Sequence, residues 1–140
     1  MAVKHITIIR NLFSMFLLIA SWQAMADDAR IESLKTQLAS MSSNDVASVP
    51  VLLELADLYL YQEPALAEEY ASKALPISMQ SEDDYNRARA FRLLGMSSIY
   101  LGKTNEAFTY LSQALSAAQN TEDAHLLSIC NRSVGVYYEL

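Results

Sequence analysis

Gly95 and Gly135 stand 40 residues apart, and their neighbours keep the same step: Arg92 matches Arg132 and Leu94 matches Val134. Ala56 lies 39 residues before Gly95, so a third segment shares the register within one residue. Self-similarity at a fixed step of this size marks a chain built from repeated supersecondary units, none able to bury its apolar face alone. In the central copy, FRLLGMSSIYLGKTNEAFTYLSQAL, Phe91, Leu94, Gly95 and Ser98 share one face of a helix. Ala107, Leu111 and Ala114 share one face of a second. Gly102-Lys103-Thr104 supplies the turn, Gly102 being free to take the left-handed conformation that closes a helix. Gly95 and Ala107 are small enough for the two backbones to approach closely. The period predicts an all-α chain of helix hairpins.

The other segments follow the same pattern. Ile31, Leu34, Leu38 and Met41 form an apolar stripe on a leading helix over 29–41. Ser42-Ser43-Asn44-Asp45 breaks it, because these side chains compete for backbone hydrogen bonds. The next helix is expected to begin near Ser48, with Pro50 in its first turn. Leu52, Leu55, Ala56 and Tyr59 lie on its inner face. Glu63-Pro64 opens the partner helix, with Ala67, Ala71 and Ala74 at the contact positions. Pro76 predicts a kink or an end to that helix near Leu75. Ser81 with Asp84 reads as a capping box for the helix that runs to about Leu101, and its partner spans about Asn105 to Ala118. Thr121 reads as the cap of a last helix, which leaves Ile129, Val134 and Tyr138 without a partner helix. The expectation is a piece of a longer protein, or another subunit covering this end.

The N-terminus carries a different signal. Lys4 and Arg10 precede the apolar run Leu12 to Ala20, and Ala24-Met25-Ala26 has a small-x-small cleavage pattern. The run is short for a span of about 20 residues. The expected organisation is a signal peptide over 1–26, a leading helix and linker over 27–47, and helical repeats over 48–140. A periplasmic or secreted protein, cleaved after Ala26, is the corresponding localisation; an uncleaved anchor is the rival. No membrane contact is expected after cleavage, since the leading helix lacks a Lys/Arg-rich polar face.

The net charge of −6 and the lack of a basic block argue against nucleic acid as a partner. A single cysteine, Cys130, precludes an internal disulfide and reads as a small buried helix residue. Outside the signal His125 is the only histidine, too few for a His-based metal cluster. No Ser/His/Asp spacing, HExxH, phosphate-binding Gly loop or CxxC occurs. Neither a catalytic residue, a metal nor a cofactor is expected, and the chain reads as a non-enzyme.

The residues from Phe91 to Leu111 resemble the tetratricopeptide repeat, W-x2-L-G-x2-Y…A-x3-F, with Phe91 in the Trp slot and Leu111 in the Phe slot. Ser98 departs from it, standing where the pattern has Tyr. The resemblance covers about residues 50 to 140 and implies a right-handed α-solenoid of about two and a half hairpins behind a leading helix. It also implies a protein–protein interaction scaffold that holds a partner's peptide or helix in a concave groove lined by the first helix of each unit. By register the groove should carry Arg89, Arg92, Met96 and Ile99, then Arg132 and Val136, with Leu53, Asp57 and Leu60 from the first unit. Arg92 and Arg132 would form an arginine edge for an acidic or C-terminal segment. The competing reading pairs these arginines with Glu82, Asp83, Asp84 and Glu139 on a solvated surface. The Lys/Asn set of repeats that clamp carboxylates is not reproduced. Long exported repeats also resemble the sensory parts of membrane signalling proteins, diguanylate cyclases or histidine kinases. That makes a periplasmic sensor segment the alternative function, and an oligomerisation unit a third.

Overall fold

The computed structural model describes Met15, residues 25–42 and residues 44–139. The expected signal peptide lies outside the described residues apart from Met15, Met25 and Ala26. The chain divides into two compact units, Met1–Lys35 and Thr36–Leu140. Among the described residues all regular structure is helical, and no helix is long and apolar enough to cross a membrane.

The leading helix, α1, covers 25–39, starting earlier and ending two residues sooner than the apolar stripe implied. Ile31 and Leu34 are its buried positions. Five helices follow within the second unit: α2 (Ser48–Tyr59), α3 (Pro64–Gln80), α4 (Asp84–Tyr100), α5 (Thr104–Gln119) and α6 (Ala124–Tyr138). Each packs on the next. In addition the α2 backbone comes close to α4 and the α4 backbone to α6, whereas the backbones of α3 and α5 stay farther apart. Thus α2, α4 and α6 form the closely spaced row, with α3 and α5 stacked outside it.

The core follows the 3.6-residue period. Leu53 and Leu55 of α2 and Leu93 of α4 are fully buried, each contributing roughly 1.5–3 kcal/mol relative to an exposed side chain. On α3 the buried residues are Ala67, Ala71, Ala74, Ile77 and Ser78. On α5 they are Ala107, Leu111, Ala114, Ala117 and Ala118, the same five positions 40 residues later. Aromatic rings close each hairpin: Tyr59 stacks on Tyr70 with centroids 5.8 Å apart, and Phe91 on Tyr110 at 6.4 Å.

Two local expectations are corrected and a third is narrowed. Pro76 does not end α3, which continues to Gln80. Pro76 and Ser72 are both exposed, so the carbonyl deprived of its amide partner faces water instead of apolar core. The cap of α4 is Asp83, not Ser81; the Ser81 hydroxyl donates instead to the Ile77 and Ser78 carbonyls at the end of α3. The cap of α6 is Asp123, while Thr121 accepts from the Asp123 amide within the turn. Gly102 takes φ 73°, the left-handed turn expected of it.

Candidate functional site

Asp83 and Asp123 start α4 and α6 in the same way. Each carboxylate accepts a hydrogen bond from the amide three residues on, Asn86 at 3.0 Å and Leu126 at 2.8 Å. Such caps satisfy amides that have no intrahelical partner and fix where each helix begins. The two helices therefore run in phase, and residues 40 apart face the same way. Tyr85 with His125, Arg89 with Ile129, and Arg92 with Arg132 all line one pocket of about 330 Å³. Asp57 from the last turn of α2, Tyr61 just beyond it, and Leu126 complete the wall. Every lining residue belongs to α2, α4, α6 or the turn after α2.

Asp57 is held by two guanidiniums. Arg92 Nη2 donates to its Oδ1 at 2.6 Å, and Arg89 Nη2 to its Oδ2 at 3.4 Å. Arg92 is largely buried, its side chain 14% exposed, whereas Asp57 retains 39%. Arg89 also reaches Asn86 Oδ1 and lies 6.0 Å from the centre of the Tyr85 ring, within cation–π range. Arg132 is exposed and has no ion pair or hydrogen bond with any described residue. The pocket thus sets three guanidiniums against one carboxylate in a chain of net charge −6.

Several charges of the neighbouring surface are engaged elsewhere. Asp84 pairs with Arg87, Asp83 caps α4, and Lys103 reaches across to Glu68 at 2.8 Å. Cys130 is buried on α6, and burial pushes its thiol above the ordinary range; the Arg92 charge offsets part of that rise. At the rim, Tyr61 meets Tyr100 edge to face at 5.6 Å. Desolvation, with Tyr61 as neighbour, raises the Tyr100 hydroxyl's pKa.

Of the groove residues expected from the register, Arg89, Arg92, Arg132 and Asp57 come together in this pocket. Met96 does not line it. It is buried, as are Leu53 and Leu60, and belongs to the core. Ile99 and Val136 are half-buried and also lie outside the lining. His125, Leu126 and Ile129 were not anticipated as lining residues. The 40-residue step from Tyr85 to His125 was the signal available for His125. A larger hollow of about 410 Å³, lined by Leu38, Met41, Ser48, Leu52 and Lys73 among others, has mostly apolar walls. Among the described residues no three His, Cys, Asp or Glu side chains are grouped as metal ligands.

The chain matches no family model, no curated protein and no solved structure.

Proposed function

We propose that this chain is an exported interaction scaffold of tetratricopeptide type, a right-handed solenoid of about two and a half helix hairpins, that holds an acidic segment of a partner protein. The segment lies along the α2–α4–α6 row. The reading rests chiefly on one observation: Arg89, Arg92 and Arg132 line one pocket in which, among the described residues, Asp57 is the sole carboxylate. Guanidinium groups recognise carboxylates through paired, charge-assisted hydrogen bonds. The tyrosines at the rim, Tyr61 and Tyr85, add apolar area for the peptide backbone and side chains. Binding, not catalysis, is the role assigned to the pocket.

The test is fluorescence anisotropy with a labelled peptide that contains Glu and ends in a free carboxylate. Its amidated counterpart with Gln in place of Glu is the control. The wild type is expected to bind the acidic peptide at least about tenfold more tightly, a difference of about 1.4 kcal/mol, with the preference shrinking at high salt. The variant Arg92→Glu/Arg132→Glu is expected to lose it. Equal binding of both peptides, or an unaffected variant, overturns the proposal.

A further inference from the structure

Arg92 and Arg132 occupy the same register position, yet among the described residues Arg92 has a counter-ion and Arg132 has none. The difference comes from the neighbouring helix. Asp57 lies one residue after Ala56, and Met96 lies one residue after Gly95, the register equivalent of Ala56. The register position that holds the acid of Arg92 on α2 is thus filled on α4 by a buried methionine. At the first step of the row the protein supplies the carboxylate. At the second it leaves a guanidinium exposed in the same pocket.

From this asymmetry we infer that the pocket reads a single carboxylate of its ligand, that Arg132 is the residue that binds it, and that Asp57 keeps Arg89 and Arg92 from binding a second. The inference rests on the proposed peptide-binding role and names the ligand chemistry: an extended segment with one essential carboxylate. The Asp57–Arg92 pair, at 2.6 Å, is the template for the contact the ligand makes with Arg132. Both oxygens of Asp57 accept from different guanidiniums, so its single charge is shared between Arg89 and Arg92. A second ligand carboxylate would have to displace Asp57 or approach it against like-charge repulsion. Neutralising Asp57 at nearly constant shape frees that position.

The experiment measures three peptides of one sequence against wild type, Asp57→Asn and Arg132→Gln. One peptide carries two carboxylates, one carries one, and one carries none, with Glu→Gln and C-terminal amidation as the changes. Circular dichroism confirms that each variant is folded. For the wild type, the first carboxylate is expected to improve affinity about tenfold and the second by less than about threefold. Arg132→Gln is expected to erase the first gain. Asp57→Asn is expected to bind the two-carboxylate peptide about tenfold more tightly than the wild type does, while the one-carboxylate peptide changes little. Asp57→Asn weakening both peptides would make Asp57 a positioning residue and overturn the inference while leaving the peptide-binding role standing. An unchanged Arg132→Gln would overturn the assignment of the anchor. If neither the wild type nor Asp57→Asn prefers any acidic peptide, the binding role itself falls with the inference.

Discussion

Gly95 on α4 and Gly135 on α6 hold the same place in the sequence register and meet opposite surroundings. A Cβ added to Gly95 would lie 2.6 Å from Leu111 Cγ and 3.2 Å from the Leu111 backbone nitrogen, so α5 sits directly on that point of α4. A Cβ added to Gly135 would find nothing within 4 Å. Ser98, three residues after Gly95, is fully buried, whereas Tyr138, three residues after Gly135, is 71% exposed. The comparison separates two reasons for a helical glycine that sequence alone merges. At Gly95 the missing side chain is filled by a neighbour. At Gly135 it is a backbone left more flexible than it need be, for about 0.5–1 kcal/mol relative to alanine.

The sharpest way to break the contrast is to remove the side chain that creates it. Leu111 is 2% exposed, and Leu111→Ala is expected to cost about 3 kcal/mol, read as a shift of the urea midpoint with unchanged slope. Gly95→Ala is next, at about 1–3 kcal/mol, because the new methyl would meet Leu111 Cγ at 2.6 Å, its Cδ2 at 2.7 Å and its backbone nitrogen at 3.2 Å. In the double variant the two costs should not add, since removing Leu111's branch vacates the space the new methyl needs. Simple additivity would show that the contact at Gly95 is not what sets the spacing of α4 and α5.

The arginines sharpen the same comparison through charge. Arg92→Gln removes the partly buried partner of Asp57 and should cost about 1 kcal/mol, while Arg132→Gln should stay within about 0.5 kcal/mol. Arg92→Gln also withdraws the charge that offsets the rise of the Cys130 thiol. A thiol raised in the folded state contributes stability that is complete below its ordinary value of 9.0 and is lost as pH climbs through the folded value. Urea midpoints should therefore fall between about pH 8 and pH 10, more steeply in Arg92→Gln, and the difference should vanish in a Cys130→Ser background. Persistence of the difference without the thiol would place its origin elsewhere.

Helix content and order were legible because each apolar stripe keeps a helical period and each turn carries Gly, Pro or Asp. The caps were misread by two residues. Ser, Thr and Asp all satisfy amides, and only the geometry shows that Asp83 and Asp123 do so while Ser81 and Thr121 serve the preceding helix ends. Of the kink or end expected at Pro76, the end does not occur for a related reason: its cost depends on whether the orphaned carbonyl meets water, which a sequence does not display. Within the pocket the three arginines were legible from the register. Their pairing was not, because Asp57 reaches Arg89 and Arg92 from 32 and 35 residues away. That contact is set by how α2 crosses α4, not by local spacing. Met96 shows the same limit, since its register position alone assigned it to the groove and does not display that the side chain is buried.

The smallest effect carries the opposite sign and is the most specific to the comparison. Gly135 lies inside α6, and its open surroundings mean that Gly135→Ala introduces no clash. Alanine restricts the unfolded chain and favours the helix, so the variant should be more stable by about 0.5–1 kcal/mol. Thermal melts of Gly95→Ala and Gly135→Ala, measured side by side, should move in opposite directions from the wild type. A loss of stability in Gly135→Ala would mean that some surface packs against α6 in solution at the place where α5 packs against α4. Repeating the melts at several protein concentrations would then show whether that surface is a second copy of the chain, since only self-association makes the midpoint depend on concentration.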